Sequence, residues 1–128
     1  MHIIEVFGRL FISALFLIEA VKKFLNPDES IMYMDDFGVP EFLFYPALLV
    51  ELILPLLLIV GYKIRISALA LAVFTIIVTL IFHTDFSNNM QMIAFLKNFA
   101  ITGGLMVLFS QKPQICTLDY YLESKKGN

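Results

Sequence analysis

An all-α fold is what this sequence predicts: a bundle of four transmembrane helices with both termini cytoplasmic. Three observations predict it. Of the 128 residues, 59% are apolar and the mean hydropathy is +0.84, against roughly 45–50% apolar in soluble domains. The apolar residues gather into four stretches of about 18–21 residues, the length a helix needs to cross about 30 Å of hydrocarbon. Each stretch is apolar nearly all round with isolated polar interruptions, where a soluble helix would carry a charged outer face.

The first stretch, residues 4–24, carries Glu5 and Arg9 near its start in place of a basic cluster. No small-x-small cleavage site follows it, and Lys22 and Lys23 stand at its far end, so it reads as a retained span and not a secretory signal. Residues 25–41 read as a long polar loop, with turn chemistry in Asn26-Pro27-Asp28-Glu29 and in Asp35-Asp36-Phe37-Gly38-Val39-Pro40. The second stretch, 42–61, and the third, 66–83, are joined only by Tyr62-Lys63-Ile64-Arg65, which makes them antiparallel neighbours. A short polar connection leads to the fourth, 92–110. Residues 1–110 thus form the membrane domain and 111–128 a cytoplasmic tail.

Sidedness follows from the basic residues. An even number of spans places Lys63, Arg65, Lys112, Lys125 and Lys126 on one side, against Lys22 and Lys23 on the other; the richer side is cytoplasmic. Thirteen Phe and no Trp suit a membrane interior. With 9 Lys+Arg scattered against 11 Asp+Glu, no nucleic-acid footprint is present. A lone cysteine, Cys116, excludes a disulfide framework, a CxxC pair, a Cys-based zinc site and an iron–sulfur cluster, and no metal site is expected.

Ionisable residues inside spans are costly unless paired, hydrated or neutralised, so they are the informative ones. Glu5, Arg9 and Ser13 recur every four residues, and Glu19 can reach Lys22 or Lys23. Glu51 stands about 15 Å from the cytoplasmic end of its span, near the midplane. The third span carries a stripe of Ala68, Ala72, Thr75 and Thr79 that ends in His83. Gln91 opens the fourth span, and Lys97 and Asn98 follow a third of the way in. For straight helices, Glu51 and Lys97 differ in depth by only about 5 Å, and Glu19 and Lys97 by about 3 Å. These charges can meet inside the bundle.

Each residue also has a plainer reading. The network can serve only to register one helix against another, Arg9 and Glu5 can snorkel to the surface, and His83 can be an ordinary interfacial histidine. Pro46 and Pro55 bend the second span. The Ala100-x3-Gly104 step suits a homodimer seam as well as packing within one chain.

The residues GRLFISALFLIEAVKKF at the start, FGVP at the end of the first loop, VELILPLLLIVGYKIRISALAL around Glu51, the Phe82-His83 pair and QMIAFLKNFAITGGLMVL in the fourth span resemble the DoxX family of small bacterial membrane proteins. The likeness runs from Gly8 to Leu108 and is most specific from Gln91 to Gly104. One departure is Glu51-Leu-Ile-Leu-Pro, where many relatives have glycines after the acid. The resemblance implies a four-helix membrane bundle in the bacterial inner membrane. It also implies association with oxidoreductase complexes, since some relatives are subunits of sulfur-compound:quinone oxidoreductases and others belong to complexes handling oxidative or thiol stress. Its polar pattern falls here on Arg9, Glu19, Glu51, His83, Gln91, Lys97 and Asn98.

A quinone head group accepts hydrogen bonds on two carbonyls and takes up protons when reduced. Lys97, Asn98 or His83 supplies donors, Glu51 or Glu19 a proton-exchanging carboxylate, and Phe74, Phe82, Phe95 and Phe99 apolar walls. Glu51 as proton acceptor, Lys97 as its electrostatic partner and His83 are the candidate catalytic residues; Glu19, Asn98, Gln91 and Arg9 are candidate ligand contacts. No haem, flavin or dinucleotide motif is present, so electrons would come from a soluble or membrane partner, with a quinone held non-covalently as the candidate cofactor. Two readings stand beside this one: a module that binds or carries a small solute or protons, and a non-catalytic scaffold for redox enzymes.

Overall fold

The computed structural model describes residues 2–111 and 117–126. Lys112 and Cys116 lie outside the described residues. Every regular element among those described is helical: α1 (His2–Leu25), α2 (Pro27–Asp36), a 3-10 turn at Glu41–Leu43, α3 (Phe44–Val60), α4 (Ile64–Phe82), α5 (Asn89–Ser110) and α6 (Leu118–Lys126). Among the described residues, three helical segments, Glu41–Val60, Ile64–Phe82 and Asn89–Ser110, are long and apolar enough to cross a membrane. The 24 residues of α1 are also long enough, but five of them, Glu5, Arg9, Glu19, Lys22 and Lys23, are charged.

The long helices begin and end where local chemistry dictates. In α1, Glu5 sits in the first turn and Lys22 and Lys23 in the last, each favourable to the helix dipole. α3 stops at Gly61, whose φ of 84° lies in the left-handed region and whose N–H donates to the Leu57 carbonyl at 2.8 Å. α5 starts at Asn88, whose side-chain oxygen accepts from Met90 N at 2.9 Å. The cap of α4 comes from far along the chain. Asp119 of α6 accepts from Lys63 N at 2.6 Å and Ile64 N at 2.8 Å, while its own N–H donates to the Gly61 carbonyl at 2.8 Å. A Cβ on Gly61 would lie 2.6 Å from the Thr117 Cβ, so glycine is what lets α6 seat there.

Residues 25–41 differ from the expected polar loop, because Pro27–Asp36 is helical. Asn26-Pro27-Asp28-Glu29, read as a turn, is a helix start. Proline takes the first helical position, where its missing N–H costs nothing, and two acids occupy the positive end of the dipole. Ile31 and Met34 then pack on a small cluster of Ala20, Phe44 and Leu48. Tyr33 and Phe37 close on Phe82 at ring-centroid distances of 5.2 and 5.0 Å, fixing α2 against the far end of α4.

α1 packs along α3, α3 on α4 and α4 on α5. At the end bearing the Tyr62-Lys63 turn, the interior is solid: Phe16, Leu58, Ile64, Ala68, Leu71 and Leu105 form one buried cluster. Gly104 lets α5 approach α1 at this level, since a Cβ there would meet Ile12 Cδ1 at 3.3 Å, whereas Gly103 faces open space. Gly104 therefore serves packing within the chain.

Candidate functional site

Toward the α2 end the bundle is hollow. A cavity of about 1060 Å³ lies between α1, α2, α3, α4 and α5. Most of its wall is apolar, with Phe16, Phe44, Val50, Phe74 and Phe82 among the lining residues. Against this wall stand two groups of polar side chains.

The first is an ion pair. Lys23 Nζ lies 2.7 Å from both oxygens of Glu51, whose residue is 5% exposed. A lysine at the end of α1 reaches a carboxylate in the middle of α3 because helical side chains lean toward the N-terminus of their own helix, which swings Lys23 back into the bundle. Pro55, one turn after Glu51, removes the N–H that would otherwise bond the Glu51 carbonyl. The expected partner, Lys97, does not pair with Glu51; it lines the same cavity from α5.

The second group lines α4 and α5. The hydroxyls of Thr75 and Thr79 donate to the carbonyls one turn back, Leu71 at 2.7 Å and Thr75 at 2.6 Å. Thr79 Oγ1 in turn accepts from Asn98 Nδ2 at 2.9 Å, tying α4 to α5. His83, just past the end of α4, buries Nδ1 with no hydrogen-bond partner. Lys97 is exposed and makes no ion pair among the described residues. Tyr33 adds a phenol to the lining, and partial burial pushes that phenol above its ordinary pKa, so it remains a neutral hydroxyl at physiological pH.

Five of the seven candidate residues, Glu19, Glu51, His83, Lys97 and Asn98, thus line one cavity. The other two sit elsewhere. Gln91 Oε1 accepts from Asp85 N at 3.1 Å and braces the α4–α5 connection. Arg9 is 1% exposed and does not snorkel: Nε donates to Glu5 at 2.8 Å, and Nη1 donates to the Leu58 and Ile59 carbonyls in the last turn of α3. A guanidinium there meets carbonyls that the helix end leaves without donors, at the negative end of its dipole. Lys23, expected beside Glu19 and not Glu51, and Tyr33 were not foreseen at the site. The lean of side chains along α1 was the available signal for Lys23, and the helix start at Pro27 was the signal for Tyr33.

A model of the DoxX family matches residues 4–84, from the first turn of α1 to the residue after His83, and so contains both members of the Lys23–Glu51 pair. Inner membrane protein YqjF of Escherichia coli is 29% identical over 118 residues, which cover 92% of this chain and 91% of that protein. No solved structure matches this chain. With well over half of its residues inside the family match, the chain belongs to the DoxX family.

Proposed function

We propose that this protein, a multi-pass protein of the bacterial inner membrane like its Escherichia coli relative, binds a quinone-like amphiphile and serves as the quinone-associated subunit of an oxidoreductase complex. The observation that carries this reading is the cavity: about 1060 Å³ of mostly apolar space with the Lys23–Glu51 pair on one wall and unpaired donors on another. Such a volume suits a ring and the first part of a hydrocarbon tail.

The fit rests on His83. Its buried Nδ1 lacks a partner, and a ring carbonyl would supply an acceptor for it in the Nδ1–H tautomer. Lys97 offers a second donor from α5. When bound, a quinone accepts electrons delivered by a partner protein and takes up protons. Glu51 is placed to hold one proton at its carboxylate, with Lys23 restoring charge balance when that proton leaves. Thr79 is occupied in orienting Asn98 and takes no part in exchange.

In this reading α1 is the fourth span, residues 1–110 are the membrane domain and 111–128 a cytoplasmic tail. Thirty-six ångströms of helix, about 1.5 Å for each of 24 residues, exceeds the hydrocarbon thickness. Its charges are tolerable because Glu5 is paired with Arg9 and Lys23 with Glu51. Lys63 of the short turn, Arg65 at the start of α4 and Lys125 of α6 then mark the cytoplasmic face. A reporter fused after Asn128 should stand in the cytoplasm; one found outside overturns the topology.

Protein purified from native membranes without added quinone should yield a prenyl quinone on extraction. Its consistent absence, together with no saturable binding of decylubiquinone, sinks the reading. A second reading, a proton- or solute-carrying module, is favoured by the same buried ion pair beside a cavity. Liposomes containing the protein would then leak protons faster than empty ones, and Glu51→Gln would remove the difference.

A further inference from the structure

The bundle does not close on itself. α1 lies along α3, α3 along α4 and α4 along α5, but α1 and α5 form no comparable seam. They approach at Ile12 and Gly104, and beyond that level both helices contribute residues to the cavity wall, Leu15 and Glu19 from α1, Lys97 and Ile101 from α5. The two helices run in opposite directions. Seven residues onward from Ile12 is Glu19, and seven residues back from Gly104 is Lys97, so both lie about 10 Å past the point of approach, at the same depth. They carry opposite charges and make no ion pair with each other. Both are exposed, and the span on α5 is 11% buried against 39% for α4.

We infer that this gap is a lateral portal: the cavity fills sideways from the bilayer between α1 and α5, and Lys97 on its rim holds the hydrogen-bond-accepting head of the molecule that enters. The inference rests on the reading that the cavity houses an amphiphile, and it adds the route of entry and places the Lys97 donor at its rim. Physical chemistry favours the side route. α2, clamped to Phe82 by Tyr33 and Phe37, roofs the cavity at one end, and the solid cluster around Leu58 and Leu71 closes the other. A lysine facing both hydrocarbon and cavity is costly without an acceptor. Glu51, by contrast, is already engaged on both oxygens by Lys23. His83 and Lys97 line the same cavity, and the buried His83 Nδ1 has no hydrogen-bond partner.

The test places Leu15→Cys and Ile101→Cys in a Cys116→Ser background and ties the portal shut with a bis-maleimide after loading with decylubiquinone in nanodiscs. Tied protein should retain the probe long after the untied variant has emptied. Equal exchange from tied and untied protein overturns the portal while leaving the cavity reading intact. Lys97→Gln should weaken decylubiquinone about tenfold and Lys97→Arg should restore it, as expected for a hydrogen bond from a charged donor; undiminished binding by Lys97→Gln overturns the head-group contact, whether or not the tied variant folds. Dodecanoate separates the two readings. If it binds, is trapped by the tie and is lost on Lys97→Gln while decylubiquinone does not bind, the portal holds and the quinone assignment fails.

Discussion

Arg9 and Lys23 stand on the same helix and each neutralises a glutamate, yet they do different things. Arg9 sits in the solid end of the bundle, 1% exposed, with Glu5 on one side and the last carbonyls of α3 on the other. Its five donors suit a crowded place that needs several acceptors satisfied at once. Lys23 sits in the hollow end, its side chain 29% exposed, and grips a single carboxylate beside open volume. Arg9 holds two helices together through the α3 carbonyls, its ion pair with Glu5 lying within α1. The Lys23–Glu51 pair is placed where a change of protonation can be accommodated, because a cavity and not packed side chains lies next to it.

Substitutions sharpen that contrast, and the largest effect belongs to the solid end. Arg9→Met strands Glu5 and the Leu58 and Ile59 carbonyls and should cost about 3–5 kcal/mol in detergent unfolding; a loss as small as that of a surface ion pair would erase the distinction. Next comes Gly61→Ala. A methyl group at a left-handed φ and in collision with Thr117 should cost about 2–3 kcal/mol and expose α6 to protease.

At the hollow end, a cycle of Glu51→Gln with Lys23→Gln should give a coupling on the order of 1–2 kcal/mol, whereas Glu51→Gln with Lys97→Gln should be additive. Coupling to Lys97 instead would mean that the lysines have exchanged roles. Asp119→Asn should be mildest, about 1 kcal/mol, since it weakens one helix cap and leaves the packing of α3 on α4 intact.

The apolar stretches announced themselves in the sequence because membrane helices of fixed length leave a simple hydropathy trace, and each predicted span overlaps a helix with ends shifted by a few residues. The cavity residues Glu19, Glu51, His83, Lys97 and Asn98 were visible for a related reason: polar groups inside apolar runs stand out. Partnership was harder to read. Depth arithmetic treats side chains as points on a straight axis, so it matched Glu51 with Lys97 and overlooked Lys23, whose four-carbon stem leans back along α1. It also placed Arg9 near a surface, whereas α3 ends there and offers its carbonyls. Turn chemistry at Asn26-Pro27 read as part of a loop, yet proline at the first helical position is also how a helix starts, and the packing of Ile31 and Met34 accompanies the helix found there.

The cap that Asp119 places on α4 has a consequence for how the protein is made. The N–H groups of Lys63 and Ile64 are synthesised more than fifty residues before the carboxylate that satisfies them. The α3–α4 hairpin therefore inserts with a provisional end that water must serve, and it is secured only after α6 has left the ribosome. A C-terminal truncation that removes α6 would accordingly be felt in the middle of the bundle, as slower or less complete assembly of a hairpin that the deletion never touched.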